Sequence, residues 1–160
     1  MDELVQWLRA QLDEDKRIVE VALRYVDADW RRDDEENVAL ASSLTLAGKQ
    51  EVAITADRWR RSMIEGPGVV MHVAEHDPAR VLREVDAKGR ILDLFATAVD
   101  DRVALRTRMR EVIDTDPDEF GRLHREESKL IEAAEYLAPV VRLLALPYAD
   151  RPGYRDDWRP

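Results

Sequence analysis

His72-Val73-Ala74-Glu75-His76 reproduces the H-x-x-E-H spacing with which one class of metalloproteases holds zinc. Two imidazoles one helical turn apart can grip a cation from one face. The glutamate between them activates a water, and a third ligand comes from elsewhere. The surroundings oppose this use, because Asp77-Pro78 opens a new helix at once, whereas such enzymes carry the motif inside a long helix. A metal-dependent hydrolase using His72 and His76 therefore ranks third among the readings. The plainer expectation has His76 and Asp77 capping the next helix, with His72 in a partly buried turn. Arg58-Trp59-Arg60-Arg61 is a second constellation. Guanidiniums flanking an indole could bind a small anionic ligand such as a nucleotide, by stacking and charge. The competing reading, an aromatic lying on the protein's own surface, is the stronger of the two.

Arg102, Arg106 and Arg110 lie four apart, with Arg108 beside them and Arg80, Arg83 and Arg90 upstream. Such a stripe can grip phosphate. Against it stand 34 acidic residues to 25 basic ones, a formal charge of -9 that disfavours nucleic acid as a partner. If two long helices fold back on one another, Asp116, Asp118, Glu119 and Glu126 come within reach and neutralise the stripe instead. Trp7, Trp30, Trp59 and Trp158 are spread along the chain as packing residues usually are. No glycine-rich phosphate loop follows a strand. Ser42, Ser43, Ser62 and Ser128 lack the strand-to-helix elbow of a nucleophile, and the carboxylates are too many to single out an acid–base pair. No catalytic residue and no cofactor is assigned.

The elements that must position these residues are bounded by the chain itself. Its 160 residues fit a single domain, 1–160, large enough to bury roughly 70% of its unfolded surface without a disulfide or metal. Apolar residues at 45% are too many for a disordered chain, even with 37% charged. Zero cysteines exclude a disulfide scaffold, a thiolate metal site and a cysteine nucleophile. No apolar run approaches the roughly 18 residues of a membrane span. Met1-Asp2-Glu3-Leu4 lacks the basic-then-apolar order of a signal peptide. The expectation is a cytoplasmic protein that does not enter membranes.

The pattern predicts a mainly α (α+β) fold in four segments. Leu4, Val5, Leu8, Leu12, Ile18, Val19, Ala22, Tyr25 and Val26 form the apolar stripe of an N-terminal amphipathic helix within residues 1–30. The charged run from Asp13 to Arg17 reads as a solvated turn in it. Residues 37–57 alternate with period two around Ala47-Gly48-Lys49, a β-hairpin signal. Asp77-Pro78 and Thr115-Asp116-Pro117 are helix starts, with Glu119 placed to complete the second cap. They predict a long antiparallel helical hairpin over 78–145, with a bend or break after Asp100-Asp101. Its second helix carries a heptad seam of Phe120, Leu123, Leu130, Ala134, Leu137, Val141 and Leu144, with Glu127 the charged intruder and Pro139 a kink near the end. Tyr148, Tyr154 and Trp158 predict that the tail, 146–160, lies ordered against the helices.

The stretch from His72 through His76-Asp77-Pro78-Ala79-Arg80-Val81-Leu82 to Lys88, followed by Arg90-Ile91-Leu92, resembles the signature of a family of small proteins of unknown function from actinobacteria and their phages. The opening, Leu4 to Asp15, and the close, Leu143 to Asp150 with Tyr154 to Pro160, resemble that family's ends. The chain departs from the pattern at Gly89 and Glu75, where basic residues are expected, and at Arg151 in place of a histidine. Gly89 in mid-helix suggests close packing or a bend. The resemblance implies a bacterial or phage cytosolic protein and brings no reaction with it.

The preferred reading is a non-enzymatic accessory or interaction protein whose partner is protein, either another copy or a host or phage protein. Self-association through the helical hairpin would bury the second apolar faces of its helices. A binder of a small anionic ligand at Arg58, Trp59, Arg60 and Arg61 is the alternative, ahead of the hydrolase.

Overall fold

The computed structural model describes residues 1–24, 30–32, 38–40, 52–54, 72 and 75–160. The described chain is mainly helical and divides into two compact units, Met1–Leu12 with Ala87–Pro160, and Asp13–Asp86.

Helix α1 spans Asp2–Ala22. Asp2 and Glu3 stand in its first turn, where unpaired backbone N–H groups favour negative charge. Leu4, Leu8 and Leu12 recur every four residues and are buried, with Val5 beside them. The run Asp13 to Arg17, expected as a turn, is helix throughout. Charges on the solvent side of a helix support it when opposite signs lie three or four apart. Here Arg17 closes on Glu14 through two bonds of 2.6 and 2.7 Å, not on Asp13. The helix ends at Ala22, earlier than expected.

In the second unit, β1 (Trp30–Arg32), β2 (Val38–Leu40) and β3 (Val52–Ile54) form an antiparallel sheet in the order β1-β2-β3. Trp30 opposes Leu40 and Val38 opposes Ile54, with an irregularity between Val38 and Ala39. β1 falls where the sequence suggested only the end of the first helix. The expected turn at Ala47-Gly48-Lys49 lies outside the described residues, as do Arg58, Trp59, Arg60 and Arg61.

Helix α2 (Pro78–Val112) and helix α3 (Pro117–Ala145) follow, with four residues between them. Both begin as the sequence dictates, with an aspartate ahead of a proline whose missing N–H would have had no helical partner. Asp77 accepts from the Arg80 backbone N–H at 2.5 Å, and Asp116 from that of Glu119 at 2.9 Å. Glu119 does not return the bond. Its carboxylate is turned to Arg108 and Arg122, and the Asp116 N–H is spent on the Val112 carbonyl. α2 runs unbroken past Asp100-Asp101, and α3 continues through Pro139.

In the first unit, Leu4, Leu8, Leu92 and Val141 are the largest fully buried side chains, so the core is drawn from all three helices. The tail returns to α1. Trp7 donates its indole N–H to the Pro152 carbonyl at 3.1 Å, and its ring meets Tyr154 and Trp158 at 5.6 and 5.4 Å. Arg155 ties the same end down by bonding Glu3 at 2.6 Å and Asp157 at 2.8 and 3.0 Å. Gly153 has φ +86°, and a Cβ there would stand 2.9 Å from the Trp7 nitrogen, so the turn needs glycine. Gly89 differs: nothing lies within 4 Å of an added Cβ, so no close packing explains it.

Candidate functional site

At the two ends of the H-x-x-E-H segment the His76 N–H reaches the His72 carbonyl at 3.1 Å. The His76 Nδ1 also lies against that carbonyl, at 2.9 Å, and the two rings stack at 4.2 Å with 36° between their planes. Both histidines are exposed, so His72 is not the partly buried residue expected, and His76 closes its own turn while Asp77 alone caps α2. Glu75 is engaged by Arg80, which donates to its carbonyl at 2.8 Å and approaches its carboxylate at 3.5 Å. Among the described residues no three His, Asp or Glu side chains are grouped to hold a metal ion.

The arginine stripe of α2 meets α3 through Glu119, one of the expected partners, and through Glu127, which was not among them. Arg102 and Arg106 both direct Nε to the same Glu127 oxygen, at 3.4 and 2.5 Å. Glu127 is only 6% exposed, the charged intruder of the seam. The Arg106 bond, then Arg102, hold its carboxyl below the usual glutamate range, against the opposing effect of burial. Arg108 bridges Glu111 and Glu119, while Glu126 pairs with Arg122 within α3. Asp116 is occupied as a cap. Arg102, Arg106 and Arg108 are therefore held by carboxylates, and this part of the stripe is an internal lock.

Two hollows lie on another face of the same two helices. A hollow of about 560 Å³ is lined by Arg90, Asp93, Leu94, Thr97, Ala98, Asp101 and Leu130. A second, about 550 Å³, is lined by Asp101, Ala104, Leu105, Arg108, Glu126, Lys129 and Leu130. Because Asp101 and Leu130 belong to both, the two make one continuous groove along α2 and α3. Leu94, 62% exposed, is its most open large apolar residue, and Leu105 and Leu130 are half-buried. The groove's floor is apolar and its rim charged. Nothing in it resembles a nucleophile with a base; it can bind apolar surface and orient it by charge.

Sequence reasoning passed over this face. Its signal was present: positions 94, 97, 101, 104 and 108 follow helical three-and-four spacing, on a stripe apart from the buried one of Leu92, Phe95 and Val112. The second apolar faces expected of the helical hairpin were not assigned to residues, because Asp101 and Arg108 interrupt the apolar pattern. No described helix is long and apolar enough to cross a membrane.

Comparison with known proteins leaves the chemistry to these residues, since no curated protein and no solved structure matches the chain. A family model described as "Family of unknown function (DUF6221)" matches residues 1–160, and the chain belongs to that family.

Proposed function

We propose that this chain is a small non-enzymatic interaction protein that binds another polypeptide along the groove of α2 and α3. The observation that carries the reading is an apolar floor left open on two long helices, beside one face given to the core and a stripe given to ion pairs. Leu92 and Val141 face the core, and Arg102 and Arg106 are committed to Glu127. We take the two helices as an antiparallel hairpin. In its support, Arg108 pairs with Glu119 near the connection and Arg102 with Glu127 farther from it. Contiguous apolar surface with a polar rim is how soluble proteins mark a contact with a partner. The bacterial or phage setting, in the cytoplasm, rests on the sequence resemblance.

The test is the native size of the protein in gently lysed host cells. The wild type should run in a complex above its own 18.5 kDa, and Leu94→Glu should run alone while keeping its helix content. Wild-type protein running at its own mass refutes the reading.

A further inference from the structure

We propose that the polypeptide covering this groove is a second copy of the chain, related by a two-fold axis near Asp101 and Leu130, with Asp101 of each copy paired to the partner's Lys129. The proposal rests on the groove being an interaction surface and names what occupies it. The two halves of the groove share Asp101 and Leu130 at their junction. A two-fold rotation about that junction lays one half of the first copy over the other half of the second, as an isologous contact requires.

The charges suit that superposition. Arg90 and Asp93 line one half and Arg108, Glu126 and Lys129 the other, with Asp101 common to both, so the groove as a whole carries three charges of each sign. Several rim charges are already satisfied within the chain: Asp93 by Arg9 at 2.7 Å, Arg108 by Glu119 at 3.2 Å, and Glu126 by Arg122 at 3.1 Å. Asp101 and Lys129 are different. Both are exposed, both line the same hollow, and neither forms an ion pair with the other or with any described residue. Opposite charges left unpaired on one groove are what two-fold symmetry pairs reciprocally. On a protein of formal charge -9, a surface of balanced sign is also where two copies approach with least repulsion. Leu94, exposed in one half, then comes to lie against Leu105 and Ala104 of the partner's other half.

Sedimentation equilibrium on the purified full chain tests this. The wild type should reach twice 18.5 kDa as concentration rises. Asp101→Lys and Lys129→Asp should each weaken association by about tenfold or more, since each sets like charges opposite one another twice. An equimolar mixture of the two variants should recover wild-type association, because every pair then has opposite signs again. Leu94→Glu should also lose the dimer, and thermal melting checks that each exposed substitution leaves the fold intact. The proposal is overturned if wild-type protein stays at 18.5 kDa at its highest soluble concentration, or if the mixture associates no better than its components. A purified monomer that runs in a larger complex in host extracts removes the second copy and keeps the groove. A single-chain mass in both settings removes both.

Discussion

Gly153→Ala should destabilise the protein through one contact between the two ends of the chain. At φ +86° an alanine is strained by about 1–2 kcal/mol, because its Cβ crowds the backbone in that region. The same Cβ would lie 2.9 Å from the Trp7 nitrogen and 3.2 Å from its Cδ1, closer than such atoms approach, so the indole must move. Trp7 cannot move freely. Its N–H bond to the Pro152 carbonyl, 3.1 Å, is worth about 1 kcal/mol net, and its ring contacts with Tyr154 and Trp158 about 0.5–1.5 kcal/mol each. Losing part of these and adding the backbone strain gives about 2–4 kcal/mol. For a domain of this size that is a fall of roughly 5–15 °C in Tm. Differential scanning calorimetry reads it directly. In a Trp7→Leu background the steric part should shrink, leaving mainly the backbone strain of about 1–2 kcal/mol. A Gly153→Ala protein melting within about a degree of wild type, well below the shift expected for this size, would refute the contact.

Gly89→Ala should act in the opposite direction, raising stability by about 1 kcal/mol in the same calorimetric scan, since a mid-helix glycine there has open space around it. Tyr154→Phe should leave Tm unchanged or raise it, because the buried Tyr154 hydroxyl has no hydrogen-bond partner among the described residues. Asp116→Ala should cost about 1 kcal/mol in chemical denaturation by removing the cap bond to the Glu119 N–H. Glu127 should make stability depend on pH in the acid range. Its carboxyl titrates lower in the folded chain than the ordinary value of about 4.3, so its contribution is complete above that value and is lost as pH falls through the folded one. The gap in Tm between wild type and Glu127→Gln should therefore be widest near neutrality and close progressively below about pH 4; a gap that is constant with pH would contradict the Arg106 and Arg102 contacts.

What the sequence disclosed was local. Asp77-Pro78 and Asp116-Pro117 mark helix starts because a cap and a proline act within one turn, and the stripe of Leu4, Leu8 and Leu12 needs only helical spacing. The Asp13 to Arg17 run was misread because a gap in an apolar pattern can be a turn or merely the solvent side of a helix, and here it is the latter. Glu127 stood out as a charge on a seam. Its partners did not, because they depend on the register of α3 against α2, which moved the contact from Asp116, Asp118 and Glu126 to Glu127. Trp7 and Tyr154 lie far apart in sequence, and only the fold brings them together. For the candidate site, the groove residues were spelled in the chain, yet which of two apolar stripes stays open is decided by what packs on the other. The histidine pair keeps the spacing read in the sequence, and its ring contact and the approach of His76 Nδ1 to the His72 carbonyl are visible only in the fold.

The open groove is tested most directly by a photo-activated benzophenone side chain placed at position 94 and, separately, at position 136, in protein expressed in its own host. Both positions are exposed, at 62% and 78%, but only 94 lines the groove. Use of the groove as an interface predicts one dominant cross-linked adduct from position 94 that position 136 does not give. No adduct from position 94, or the same adducts from both positions, would contradict it.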